Sequence, residues 1–337
     1  MKSVNRQIRL ATRPVGVPKI SDFHLVYSAL PTPAWGEVLV RSIYLSLDPY
    51  MRRRMNAEDS GAVPVALGGV MVGCAAGFVV RSADPSFQPG DAVLGQLGWQ
   101  EYGVLPGSEL RRVDLAQAPL SAALGILGTP GLTAYFGLLD VCKPKAGETV
   151  VVSGATGGIG MLAGQIAKIL GCRVVGVNGP GGKPSWLIDE LGFDGAIQAR
   201  NLDELDGDLA ANCPQGIDAY FDIVGGDVSE AVGRHLNHDA RVALCAQTSL
   251  DNLEEAELAR KLQGRTPEKR AKVRSFRVSS YTDRFGPALE QLAEWLKQGR
   301  LLYREDVAQG IEAAPQAFIG MLEGRNLGKQ LVQLAAA

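Results

Sequence analysis

Histidine is scarce in this sequence: 337 residues hold only His24, His235 and His238. The five cysteines, Cys74, Cys142, Cys172, Cys213 and Cys245, are scattered, odd in number and without a C-x-x-C pair. That excludes a disulfide framework and a four-cysteine zinc lobe, and leaves small buried hydrophobes of a reducing compartment. His235 and His238 stand at helical spacing beside Asp239, far from any cysteine pair, and read as surface or capping residues, so no metal is expected. An excess of either charge is also missing. With 34 Lys+Arg against 36 Asp+Glu, a net charge of -2, the chain lacks the electrostatic footprint for nucleic acid or an anionic membrane, and small neutral or weakly charged partners suit it better. Two uncharged stretches, Pro119–Leu139 and Thr149–Ala167, are long enough to raise the question of a membrane span. Both fail on content. The first carries Pro119, Pro130 and the glycines 125, 128, 131 and 137, and the second changes from a β-branched run to a helical pattern at a glycine cluster, as buried α/β segments do. Residues Met1 to Arg6 have no apolar signal region, which points to the cytoplasm.

What is present divides in two, as the length leads one to expect. From about Arg6 to Arg112 short β-rich runs alternate with turn residues: Glu37–Ile43, Gly77–Val80 and, after Pro89-Gly90, Asp91–Leu94. These predict a β-barrel-like domain. After Pro119 the texture becomes helical. From Glu148 onward strands at Thr149–Ser153, Arg173–Val177, Ala219–Asp222 and Arg241–Cys245 alternate with helices near Gly160–Leu170, Pro184–Leu191 and Val228–His235, the pattern of a parallel doubly wound sheet. The charged stretch Asn252–Lys272 reads as a surface helix or lid. Ala288–Lys297 has helical spacing, Leu301–Val307 reads as a strand and Ala314–Leu322 as a last helix.

The strongest local signal is Val150-Val151-Val152-Ser153-Gly154-Ala155-Thr156-Gly157-Gly158-Ile159-Gly160, a buried strand entering a glycine-rich turn and then a helix. Gly154 permits the tight turn, Gly157 lets a pyrophosphate approach the backbone, Gly160 lets the helix pack close, and the helix amino terminus faces the negative charge. The spacing is G-x-x-G-x-x-G instead of G-x-G-x-x-G, but the strand before and the helix after give it the context of a dinucleotide site. An NAD site usually ends its second strand on an Asp or Glu that binds the ribose 2′-hydroxyl. Here the strand ends Val175-Gly176-Val177-Asn178-Gly179, followed by Lys183 and Arg200, a neutral end with nearby cations that suits the 2′-phosphate of NADP. Alcohol dehydrogenases of similar layout stabilise an alkoxide with zinc held by Cys and His, and those ligands are not in this sequence. Hydride delivery to an activated double bond needs no Lewis acid, because the substrate carbonyl takes up the charge as an enolate, which still benefits from a hydrogen-bond donor.

Several blocks together resemble the medium-chain dehydrogenase/reductase superfamily. They are Leu45–Arg52 (with Asp48-Pro49-Tyr50-Met51-Arg52), Leu127–Leu138, the glycine turn, Leu191-Gly192-Phe193-Asp194 and Gly324–Lys329. The likeness is to its zinc-free branch of leukotriene B4 12-hydroxydehydrogenase/prostaglandin reductases, alkenal double-bond reductases and bacterial curcumin reductases, the last through Tyr281–Phe285 and Ala314–Gly320. It implies an α/β fold: a GroES-like β-barrel catalytic domain over 1–125 and 298–337, and a Rossmann doubly wound parallel-sheet domain over 126–297, with the active site in the cleft and a homodimer as the assembly. It also implies NADPH-dependent reduction of the C=C bond of α,β-unsaturated aldehydes and ketones. Carried over, Ala155 to Gly158 line the pyrophosphate, Lys183 holds the 2′-phosphate, Thr133 and Cys245 lie near the nicotinamide, and Phe276, Arg277, Val278 and Asn326 complete the cofactor contacts. Tyr50 faces the substrate and donates to its carbonyl oxygen. There are departures. Ala199 stands where relatives have a tyrosine near the adenosine phosphate, with Arg200 as its replacement, and Ile223 stands where many have Asn. The charged Glu268–Arg274 carries no counterpart of the tyrosine credited with enolate contact, which leaves solvent, Tyr50 or Tyr281 to deliver the proton. The alternatives are a quinone reductase on the same scaffold and a non-catalytic NADP-binding protein.

Overall fold

The computed structural model describes residues 4–57, 63–179, 181–245 and 270–336. The chain divides into two units: one comprises 1–124, 305–323 and 330–337, the other 125–304 and 324–329. Residues 125, 298–304 and 324–329, expected in the first domain, group with the second unit, and local bonds tie the last two segments there. Gln165, 4% exposed in the Gly160–Ile169 helix, donates to the Leu302 carbonyl and accepts from the Leu302 amide, each at 2.8 Å. The Gly328 amide donates to Thr156 at 2.8 Å.

The first unit is rich in antiparallel pairing. Its longest strand, Glu37–Ser46, is buried along most of its length because Ala75–Ser82, Tyr102–Pro106 and Lys329–Gln333 all pair with it. A separate pair, Val4–Leu10 with Phe23–Ala29, lies in register from end to end. The core is centred on Trp99, which has no exposed surface, stacks on Phe23 at 5.7 Å and meets the edge of Phe318 at 5.5 Å. Asn5 is buried here with its polar atoms paired, donating to the Tyr102 carbonyl at 2.8 Å and accepting the Tyr102 amide at 3.0 Å, as a buried amide must be to avoid a desolvation cost.

The second unit holds six parallel strands in the order Gly195–Gln198, Arg173–Asn178, Thr149–Ser153, Ile217–Asp222, Leu236–Leu244, Lys272–Ser275. Numbered along the chain this is 3-2-1-4-5-6, the doubly wound order of dinucleotide-binding domains. Val150, Val151 and Val152 have no exposed surface, which is why the first strand reads as a continuous apolar run without alternation. Its strand and helix spans match the expected ones to within a few residues, with exceptions. The fifth strand begins at Leu236, so His238 lies on a strand, and the two histidines do not share a helix. The expected Leu301–Val307 strand forms later, at Glu305–Gln309. Lys272, the last residue of the expected charged stretch, opens the edge strand Lys272–Ser275; with one side open to solvent the strand tolerates Lys272 and Arg274. The rest of the expected 252–272 helix, to residue 269, lies outside the described residues. No helix among the described residues is long and apolar enough to cross a membrane.

Candidate functional site

In a doubly wound sheet, ligands bind outside the carboxyl ends of the strands where the strand order reverses, here the ends of Thr149–Ser153 and Ile217–Asp222. Ser153 bridges those ends. Its hydroxyl accepts the amides of Ile223 at 2.8 Å and Val224 at 3.2 Å and donates to Asp222 at 3.3 Å. Asp222, with no exposed surface, also accepts from Tyr220 at 3.0 Å, from the Gly225 amide at 2.9 Å and from the Ser229 hydroxyl. Burial raises its pKa while these donors oppose the shift. The sequence did not mark Ser153 and Asp222, because a buried acid closing an apolar strand has no periodicity or spacing to signal it.

Past Ser153 the chain turns at Gly154, whose φ of +61° lies in the left-handed region. The turn then spends its first amides on itself: Ala155 donates to Val177 at 3.3 Å, Thr156 to the Asn178 side chain at 2.8 Å and Gly157 to Gly154 at 3.0 Å. The amides of Ile159 and Gly160, at the start of the Gly160–Ile169 helix, find no acceptor among the described residues. Gly160 is needed for a related reason: a Cβ on it would fall 2.3 Å from the Gly154 carbonyl oxygen. A Cβ on Gly157 would meet only that same oxygen, at 3.2 Å, so its outer face is open to a ligand.

The second strand closes on Asn178, and no carboxylate occupies that position. Lys183 and Arg200 are both exposed and have no ion-pair partner among the described residues. Arg200 lines a groove with Pro184, Gln198, Asp203 and Glu204, so its charge is partly offset by acidic neighbours. The 324–329 segment folds against the glycine turn, with Gly328 bridged to Gly157. Asn326 donates to the Gly328 carbonyl at 2.8 Å, holding this segment's own shape. Thr133, 6% exposed, donates back to Thr129 at 2.7 Å within the Thr129–Phe136 helix. Cys245 follows the fifth strand and its amide donates to the Asp222 carbonyl at 2.8 Å, which brings it to the same strand ends as Ser153. Phe276 packs edge-on to Phe221 at 6.2 Å. Arg277 and Val278 begin the short Val278–Arg284 helix.

The two tyrosines differ. Tyr281 stacks on Phe136 at 4.4 Å with the Arg284 guanidinium 5.6 Å from its ring, so its ring serves packing. Tyr50, in the first unit, opens the Tyr50–Arg54 helix, is 39% exposed, and its hydroxyl lies 3.4 Å from Gln96 Oε1. Burial and then the nearby Asp48 carboxylate raise its pKa above the ordinary tyrosine value, so the hydroxyl stays a proton-bearing donor. Of the histidines, His235 faces Asp206 at 3.1 Å and His238 lies 3.4 Å from Asp239. No cluster of His, Cys, Asp and Glu able to hold a metal occurs among the described residues.

Residues 6–113 match the family model described as the N-terminal domain of oxidoreductase, and 158–294 the one described as zinc-binding dehydrogenase. The chain is 43% identical to the NADPH-dependent curcumin reductase of Escherichia coli, covering 99% of this chain and 98% of that one. It is 41% identical to the NADP(+)-dependent 2-alkenal reductase of Nicotiana tabacum, covering 98% of each. It belongs to the medium-chain dehydrogenase/reductase family. The structure of CurA from Vibrio vulnificus in complex with NADPH superimposes with a TM-score of 0.90 at 43% identity, covering 98% of this chain and all (100%) of that one.

Proposed function

We propose that this protein uses NADPH to reduce the carbon–carbon double bond of α,β-unsaturated aldehydes and ketones. The observation that carries the cofactor reading is the pair of strand ends in the second unit: helix-start amides at Ile159 and Gly160 with no acceptor among the described residues, beside a second strand that ends on neutral Asn178, with Lys183 and Arg200 unpaired among the described residues. These residues fit the group. The helix start takes the pyrophosphate, with Gly154 to Gly157 shaping the approach. Lys183 and Arg200 meet the 2′-phosphate, and Thr133, Cys245, 276–278 and Asn326 border the rest. Full-length likeness to curcumin and alkenal reductases supports the substrate class.

When bound, NADPH supplies a hydride to the β-carbon of the substrate. The chain's part is to place and polarise. Tyr50, kept protonated by its surroundings, donates to the substrate carbonyl oxygen and stabilises the enolate charge; the α-carbon is then protonated by Tyr50 or by solvent. Tyr281 is the weaker candidate because its ring is committed to Phe136. By likeness to its family the protein is taken as a cytoplasmic homodimer. The test is steady-state loss of NADPH absorbance with 2-nonenal, a curcumin-like dienone and a simple quinone, run beside NADH and with a chelator. Rapid alkene reduction that prefers NADPH and ignores the chelator supports the reading. Turnover of the quinone alone makes the protein a quinone reductase, and NADPH binding without turnover makes it a non-catalytic binding protein.

A further inference from the structure

Asn178 is 2% exposed, and its two side-chain atoms have opposite fates. The oxygen accepts the Thr156 amide at 2.8 Å. Only an oxygen can accept from that amide, so the orientation of the side chain follows from the bond itself. The NH2 group is therefore turned away from the glycine turn, and it is buried with no acceptor among the described residues. A buried donor left unpaired is costly and is rarely kept without a use. Its surroundings suggest one. Gly182 packs so close that a Cβ on it would lie 2.4 Å from the Asn178 Cβ, and the next residue is the unpaired Lys183. Glycine backbone thus packs against the Asn178 side chain at residue 182, where there is no side chain to displace.

We propose that Asn178 is a specificity-determining residue that selects NADPH over NADH, an inference that rests on the cofactor reading above and deepens it. Its carbonyl oxygen accepts the Thr156 amide and carries no negative charge, so it holds the bare ribose 2′-hydroxyl less firmly than the carboxylate of an NAD site would. Its NH2 is the donor held for the 2′-phosphate beside Lys183. One side chain thereby ties recognition of the 2′-phosphate to the shape of the pyrophosphate turn, a link that a lysine on the surface cannot make. Both roles follow from its place at the end of the second strand, where an NAD site carries a carboxylate.

The test is the dissociation constants of NADPH and NADH, from cofactor fluorescence, in the full-length wild type, Asn178→Asp and Asn178→Ser. Asn178→Asp keeps an acceptor for Thr156 and replaces the donor with a carboxylate oxygen. NADPH should weaken at least 20-fold while NADH is unchanged or tightens. Asn178→Ser removes the NH2 without adding charge and should cut the NADPH preference about 5-fold; it carries the test if the Asp variant does not fold. A residue that only holds the turn would weaken both cofactors equally, and that result, or a preference unchanged in both variants, overturns the inference alone. A wild type that binds NADPH and NADH alike, with Lys183→Ala also without effect, overturns the NADPH reading and this inference with it.

Discussion

The two turns that end the first and second strands of the parallel sheet are built on opposite plans. After Ser153 nearly every polar group is spent inward: the first amides go to Val177, Asn178 and Gly154, and the Ser153 hydroxyl serves Ile223, Val224 and Asp222. After Asn178 the charge is left outward, with Lys183 exposed and unpaired among the described residues, as is Arg200 just past the neighbouring third strand. Shape in the first turn comes from buried bonds, so whatever disturbs it should cost both stability and binding. The second turn contributes charge to a ligand and little to the fold, so changes there should cost affinity alone.

The largest effect expected is Gly160→Ala. Its Cβ would lie 2.3 Å from the Gly154 oxygen and 2.8 Å from the Ala155 Cα, both backbone atoms that cannot swing aside. Overpacking of this kind costs about 3 kcal/mol, and NADPH affinity should fall about 100-fold because the helix-start amides move with the turn. Thermal unfolding and a cofactor titration read the two losses; an intact melting temperature would break the claim that this turn is tightly packed. Next comes Ser153→Ala, which removes the acceptor of the Ile223 and Val224 amides and one of the donors to Asp222. About 2 kcal/mol of stability should be lost, with a smaller loss of affinity.

Lys183→Ala and Arg200→Ala should do the reverse. Removing one charge-assisted contact to a phosphate costs about 1.5 to 3 kcal/mol, so Lys183→Ala should weaken NADPH by about 10-fold or more with NADH unaffected. Stability should stay within about 0.5 kcal/mol, as for other exposed positions. Arg200→Ala should be milder, since Asp203 and Glu204 share its groove. If either variant lowers the melting temperature as Ser153→Ala does, the contrast between the turns fails.

The same contrast explains what could be read from the sequence. The glycine cluster announces the first turn because Gly154 takes a left-handed φ and Gly160 a close backbone approach, needs that other residues meet poorly. The apolar run Val150–Val152 placed the central strand for a similar reason, since a strand covered on both faces has no alternation to blur. The polar hub beneath it was illegible: Ser153, Tyr220, Asp222 and Ser229 come together only when separate strands and a helix pack. The edge strand Lys272–Ser275 was not foreseen and the reading of a charged helix or lid ran up to its first residue, because an open edge accepts the same charges as a solvated helix face. The use of the turn amides was also beyond sequence, since the bond from Thr156 to Asn178 spans 22 residues.

The hub beneath the first turn should also carry a signature in alkali. Tyr220 has no more than 1% exposure, and burial first, then the Asp222 carboxylate, hold its pKa well above 10.0. In the unfolded chain it ionises near the ordinary value of about 10. Above that pH the unfolded state has shed a proton that the folded state keeps, so the unfolded state is favoured and stability falls as pH rises, by about 1.4 kcal/mol per unit until the folded group titrates. Below pH about 10 both states hold the proton and Tyr220 adds no slope. Tyr220→Phe removes the proton altogether. It should lose about 1 kcal/mol near neutral pH with its bond to Asp222, yet fall less steeply than wild type between about pH 10 and 11. Parallel curves for the two proteins would mean that the tyrosine titrates in the fold as it does in water, and that the hub is open to solvent like the second turn.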